Sequence, residues 1–308
     1  MIGVLNGFAA IWIVVGVGWL LAHAGVLRAD SQQVLTGVSF FAGNPALLLV
    51  MMSTADIRRL FAWNLLVTVL ATIVTGLVYL LLARLVWKPD PSQRVIGCFC
   101  AAYVNAGNMG LPIAAYVLHD VTWIAPLLLV QVGVLQPLGL AMLDAEVTRQ
   151  EGRDLGFWRY LWLPFRNPMT IAVLTGLLLN LTHLAIPTVL KTPLSMLGGL
   201  AVPTMLVAFG VSLRLGPLPG KAGRTGELVG ISLLKVAFHP LLALALARLM
   251  GLDHAATVAV VVLAGLPTAQ NVFTHAVRYQ TDIPLARDVV FITSIASIVT
   301  VAALASLV

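Results

Sequence analysis

Charge is what this chain of 308 residues has least of: 10% of its residues are Asp, Glu, Lys or Arg, against roughly 25% in an average soluble domain. A soluble enzyme, a nucleic-acid-binding domain and a disordered segment all need more polar surface than that, and all three are excluded. Cysteine is nearly absent. Cys98 and Cys100 stand in an apolar run without His or Asp beside them, so they read as small helix-packing residues, not metal ligands. The six histidines are scattered, and no metal site or cofactor is expected. No H-E-x-x-H, G-x-S-x-G or membrane-depth Gly-Asp pair is present, which argues against an intramembrane enzyme.

What is abundant is apolar: 60% of residues are hydrophobic and mean hydropathy is +0.99. The fold class implied is an all-α polytopic membrane protein. The N-terminal run resembles a signal peptide at Ala22-His23-Ala24. No Lys or Arg precedes it, however, and it is too long for a signal core, so it reads as a first spanning helix.

Ten apolar stretches of spanning length fall near 2–27, 31–53, 60–86, 93–118, 121–147, 167–183, 187–213, 226–250, 255–279 and 284–307. The one long polar gap, 148–166, is basic, with Arg149, Arg153, Arg159 and Arg166. It divides the chain into a first five-helix unit (1–147), a cytoplasmic linker (148–166) and a second five-helix unit (167–308). With both termini outside, thirteen of the 18 Lys and Arg residues lie on the cytoplasmic side and four outside, the bias expected of a membrane protein. A multi-pass protein of the cell membrane with extracytoplasmic termini follows, and the net charge of +6 is no sign of a nucleic-acid partner.

Five helices per half inverts the second half relative to the first. Gly110-Leu111-Pro112 in helix 4 recurs as Gly265-Leu266-Pro267 in helix 9, an offset of 155, and Asn44-Pro45 in helix 2 answers Val202-Pro203 in helix 7, an offset of 158. An inverted repeat of this kind is the architecture of many secondary transporters.

Helix 4 carries Asn105-Ala106-Gly107-Asn108-Met109-Gly110-Leu111-Pro112 at mid-membrane, and helix 9 carries Pro267, Thr268, Gln270 and Asn271. Proline removes a backbone donor and clashes with the carbonyl four residues back, so both helices are expected to break. Pro112 and Pro267 are expected to open the second half-helices, whose N-terminal N–H groups suit an anion. A kink satisfied by neighbouring helices is the plain alternative for one helix; two matched breaks favour a binding site. The substrate-binding candidates are Asn105, Asn108, Gly110, Pro112, Pro267, Gln270, Asn271 and Gln131. Gln136 and Asn44 are weaker ones.

None of the 12 acidic residues lies mid-helix, which disfavours a carboxylate-based cation site. Lys235 does, about 12 Å beyond Glu227 along helix 8. One reading has it standing in for a bound cation as a coupling or structural charge; the other has it neutral or satisfied by carbonyls. His239, one turn on, is either a proton relay or a core histidine bonded to a carbonyl.

The Asn105-x-Gly107-Asn108-x-Gly110-Leu111-Pro112 run, with Gly265-Leu266-Pro267-x-Ala269-x-Asn271 in the second half, resembles the auxin efflux carrier family, in its bacterial branch of malonate- or malate-type permeases. The resemblance covers nearly the whole chain. It implies an elevator-type carrier of organic anions, sharing its fold with bile-acid symporters and Na⁺/H⁺ antiporters. In that fold helices 4 and 9 cross beside the substrate, and helices 1, 2, 6 and 7 form a scaffold that often dimerises. Asn108 and Pro112 match the helix 4 site, and Pro267 and Asn271 the helix 9 site. The function expected is secondary transport of a small organic anion without a Na⁺ requirement, with the bilayer and a second copy as partners. A channel or a receptor for a small polar ligand is the alternative.

Overall fold

The computed structural model describes residues 2–55, 63–110, 113–114, 118, 123–150, 167–216, 218–220 and 223–307. The helices are α1 (Ile2–His23), α2 (Ala29–Ser53), α3 (Trp63–Trp87), α4 (Pro91–Ala102), α5 (124–150), α6 (Pro168–Leu181), α7 (Thr188–Leu215), α8 (Thr225–Leu249), α9 (His254–Ala264), α10 (Gln270–Arg278) and α11 (Ile283–Leu307). Among the described residues α2, α3, α7, α8 and the Ile283–Val301 stretch of α11 are long and apolar enough to cross a membrane. Shorter apolar helices are Ile11–His23 within α1, Pro168–Leu181 and His254–Ala264. Of the basic linker, residues 148–150 still belong to α5, and 151–166 lie outside the described residues.

Among the described residues four helices contain a proline well inside their span: α7 keeps Pro193 and Pro203 within regular α-helix, and the other three share one arrangement. Asn44-Pro45, Gln136-Pro137 and His239-Pro240 each follow a five-residue π turn, at Ser39–Gly43, Gln131–Leu135 and Leu234–Phe238. One extra residue in the turn moves the carbonyl that the proline ring would strike and removes the need for its missing N–H. The helices therefore pass through the proline without ending.

Packing divides the described helices into two groups. In the first, α1 and α2 pack against α7, and α2 against α6; in the second, α3, α4, α5, α8, α9, α10 and α11 pack on one another. The first group is held by close backbone approach. A Cβ on Gly210 of α7 would stand 2.1 Å from the Val15 carbonyl oxygen of α1, and one on Gly43 of α2 would stand 2.8 Å from Cα of Ala201. Small residues at helix interfaces permit this contact where lipid offers no hydrophobic drive for association. The second group uses shape and charge together. Gly97 of α4 leaves room for Tyr79 of α3, whose hydroxyl donates to Glu227 of α8 at 2.9 Å.

The contact between the groups is apolar and includes aromatic pairs. Trp12 meets Phe291 edge to face at 5.6 Å, and Phe209 meets Phe273 at 5.3 Å. At one end of the molecule the Arg278 guanidinium lies over the Phe41 ring at 4.8 Å.

Candidate functional site

α4 begins at a capping box, Asp90 with Gln93, has Pro91 in its first turn, and stops at Ala102, after which Tyr103 is extended (φ −84, ψ 112). α9 begins under Asp253, whose side chain accepts the Ala256 N–H at 2.8 Å, and stops at Ala264. The chain then runs non-helically to α10, which starts at Gln270. Both expected breaks are present, but not where proline alone would put them. Pro267 lies within the extended stretch and does not open α10. In helix 4 the chain leaves helical geometry at Tyr103 and re-enters it in a π turn at Ala106–Gly110, upstream of Pro112. Proline restricts only its own φ and the residue before it; the register is set instead by what the two broken strands find in each other.

They find a two-residue antiparallel bridge, Val104 opposite Thr268. The Asn105 N–H donates to the Pro267 carbonyl at 2.8 Å, and the Ala269 N–H to the Tyr103 carbonyl at 3.2 Å. Backbone groups freed by the breaks thus satisfy one another at a depth where hydrocarbon could not. The outer face of Val104 is taken by Gln131 of α5: Oε1 accepts its N–H at 2.9 Å and Nε2 donates to its carbonyl at 3.0 Å. The Thr268 N–H donates to Thr293 Oγ1 of α11 at 3.1 Å, and the Thr268 hydroxyl donates to the Cys100 carbonyl in the last turn of α4 at 2.6 Å.

Side chains knit the crossing further. Asn105 Nδ2 donates to Gln270 Oε1 at 2.7 Å. The Tyr103 hydroxyl and Asn271 Nδ2 both donate to Gln136 Oε1, at 3.1 and 3.2 Å. Beside these groups lies a cavity of about 250 Å³. Asn105, Gln131, Gln136, Gln270 and Asn271 line one side; Asn44, Leu47 and Met51 of α2 and Val202 and Met205 of α7 line the other. Among the described residues no charged side chain lines it. The cavity therefore sits where the two helix groups meet, with an amide-rich wall from one group and a mainly apolar wall from the other.

Of the residues singled out from sequence, Asn105, Gln131, Gln270 and Asn271 come together here. Gly110 closes the π turn, where a Cβ would stand 2.6 Å from Ile124 Cδ1. Asn108 lies in the same turn, but its side chain, like all of Pro112, lies outside the described residues. Lys235 and His239 do not line the cavity. Lys235 is fully buried, with Nζ 3.2 Å from His239 Nδ1 and 3.5 Å from the Ala102 carbonyl at the end of α4. The sequence pattern singles out neither Tyr103 nor Thr293, and marks Thr268 only at the helix 9 break and not among the binding candidates. A tyrosine or a threonine in an apolar run has no distinguishing pattern, and its role appears only once the strands are paired.

At the charged end of the second helix group, outside the apolar spans, Arg224 Nη1 donates to both oxygens of Asp282 at 2.7 Å, and its guanidinium also pairs with Glu227. Burial pushes the Asp282 carboxyl up to about 6, and Arg224 only partly offsets it. A polar cavity of about 250 Å³, lined in part by Asp90, Ser92, Tyr279 and Asp282, opens beside this cluster.

The pattern that defines the family described as "Membrane transport protein" matches residues 4–145 and 157–305. A protein of Methanothermobacter thermautotrophicus named "Uncharacterized transporter" is 24% identical over 301 residues, covering 94% of this chain and 93% of its own. One of Rhizobium meliloti named "Putative malonate transporter" is 25% identical over 296 residues, covering 93% of this chain and 90% of its own.

Proposed function

The chain belongs to the membrane transport protein family, that of the auxin efflux carriers, and we propose that it is a secondary carrier for a small organic anion. It is a multi-pass membrane protein, and its family and relatives point to transport and not to catalysis. The observation that carries the finer reading is the cavity of about 250 Å³ at the Val104–Thr268 crossing, placed between two separately packed helix groups.

Cargo binds at the crossing, with Asn105, Asn108, Gln270 and Asn271 around it and the first turn of α10 facing its carboxylate. The N–H groups of a helix's first turn lack partners within the helix and carry the positive end of its dipole. Access alternates when the group carrying the crossing slides along the other, in the manner of an elevator. The two five-helix halves, 1–147 and 167–308, form an inverted repeat of ten spans in the cell membrane, with both termini outside and α1, α2, α6 and α7 as a scaffold through which two copies pair. The cargo is a mono- or dicarboxylate or an auxin-like acid, in line with the name of the Rhizobium relative. Lys235 takes the place of a coupling cation, so no Na⁺ is needed.

Counterflow in proteoliposomes with labelled malonate, malate and an indole acid tests this. Saturable uptake of one acid, competed by its analogues and lost in Asn108→Ala or Asn271→Ala while the protein stays in the membrane, is the expected result. Uptake of none of the acids, or normal uptake by both variants, overturns it.

A further inference from the structure

A two-residue β-bridge is the smallest possible sheet, and it has two edges. At Val104 and Thr268 the flanking residues exchange the bridge's hydrogen bonds, so the paired residues turn their own N–H and C=O groups outward. Inside a membrane those outward groups have no water to meet, and each left unpaired costs several kcal/mol. The structure supplies one side chain for each edge. Gln131, on the π turn of α5, mimics a third strand by bonding both the N–H and the carbonyl of Val104, at 2.9 and 3.0 Å. Thr293, on α11, accepts the Thr268 N–H at 3.1 Å and gives its own hydrogen to the Val289 carbonyl at 2.7 Å. Gln131 and Thr293 are 1% and 0% exposed. They stand 162 residues apart in sequence, close to the offsets of 155 and 158 that relate the Gly-Leu-Pro and proline pairs.

We infer that Gln131 and Thr293 are positioning residues, counterpart straps from the fifth helix of each half that clamp the two edges of the crossed backbone and hold it in register. Gln131 lines the cavity, yet both polar ends of its amide are committed to Val104, so it acts on cargo through the backbone and not as a ligand. Through the straps α4, α5, α10 and α11 share one hydrogen-bonded unit and move together. The inference rests on the crossing being the transport site.

The test is amide hydrogen exchange on the purified full chain, read at Val104 and Thr268, beside transport of the acid panel in proteoliposomes. Gln131→Leu is expected to speed exchange at Val104 by about tenfold, the worth of about one hydrogen bond. Thr293→Val does the same at Thr268, and Thr293→Ser, which keeps the hydroxyl, does not. Gln131→Glu separates strap from filler: its carboxylate accepts the Val104 N–H but cannot donate to the carbonyl, whereas the protonated acid does both. Its Val104 protection is therefore expected to stay near that of the unsubstituted protein, while its transport recovers on acidification. Unchanged exchange at Val104 in Gln131→Leu, or a raised KM with exchange intact, makes Gln131 a cargo ligand and overturns the inference. If Gln131→Leu does not fold, equal Thr268 exchange in Thr293→Val and Thr293→Ser overturns it instead. Failure of the unsubstituted protein to carry any acid sinks the carrier reading alone, since the exchange results need no cargo.

Discussion

Asn105 and Gln270 tie the two broken segments side chain to side chain: Nδ2 of one lies 2.7 Å from Oε1 of the other, 165 residues apart in the chain. Both line the central cavity, so the bond sets the shape of its amide-rich wall. Asn105→Ala and Gln270→Ala are each expected to lower transport about tenfold, as loss of a buried hydrogen bond does. Because the two act as one unit, the double variant should fall little below either single one. Initial rates of counterflow for the four proteins measure the coupling, and full additivity would show that the pair does not act together.

Tyr79 makes a prediction about stability alone. Its hydroxyl reaches the buried Glu227 over Gly97, where a Cβ would stand 1.9 Å from the oxygen. Gly97→Ala forces the ring away, with an overpacking cost of about 1–3 kcal/mol. Tyr79→Phe keeps the ring and removes only a hydrogen bond to a carboxylate, at about 1.5–3 kcal/mol. Thermal unfolding in detergent should show a lowered midpoint for both, and a double variant less than additive, since both break the same bond.

Much of this was legible in the residues. Lack of charge and the apolar runs give a polytopic helical protein, and Asn105, Gln270 and Asn271 stand out because amides in apolar helices need a reason. The matched Gly-Leu-Pro runs locate the two breaks to within a few residues. What they do not give is the register, because Pro267 is compatible both with a helix start and with an extended strand, and pairing with Tyr103–Asn105 decides between them. The π turns before Pro45, Pro137 and Pro240 were hidden for a similar reason: an interior proline signals trouble but not which remedy the helix takes. By its position Gln131 reads as a cargo ligand; that its two amide groups bond backbone is a matter of distance, not of sequence.

Asp282 gives a pH dependence. Burial raises its carboxyl from an ordinary 3.8 to about 6, the pull of Arg224 notwithstanding. The folded protein therefore holds this proton more tightly than the unfolded chain does. The stabilisation is complete below about pH 4 and is lost as pH rises through about 6. The unfolding midpoint in detergent should accordingly fall between about pH 4 and about pH 6, and Asp282→Asn should flatten that part of the profile. An unchanged slope in the variant would place the titration elsewhere.

Lys235 decides the question of sodium. Its Nζ is buried 3.5 Å from the Ala102 carbonyl, at the C-terminal end of α4. That end carries the negative pole of the helix dipole and unsatisfied carbonyls, the environment in which broken-helix transporters hold a coupling cation. In the proposed reading Lys235 stands in for that cation and cannot dissociate, so uptake by the unsubstituted protein should be the same in sodium and in choline. Lys235→Met removes the charge but keeps much of the side-chain length. It is expected to lower transport by about tenfold or more, since a favourably placed charge at a helix end is worth up to about 2 kcal/mol. Partial recovery of that variant on adding Na⁺ would identify the vacated position as a cation site. A strict sodium requirement in the unsubstituted protein would instead mean that the coupling ion binds elsewhere and that Lys235 only braces the end of α4.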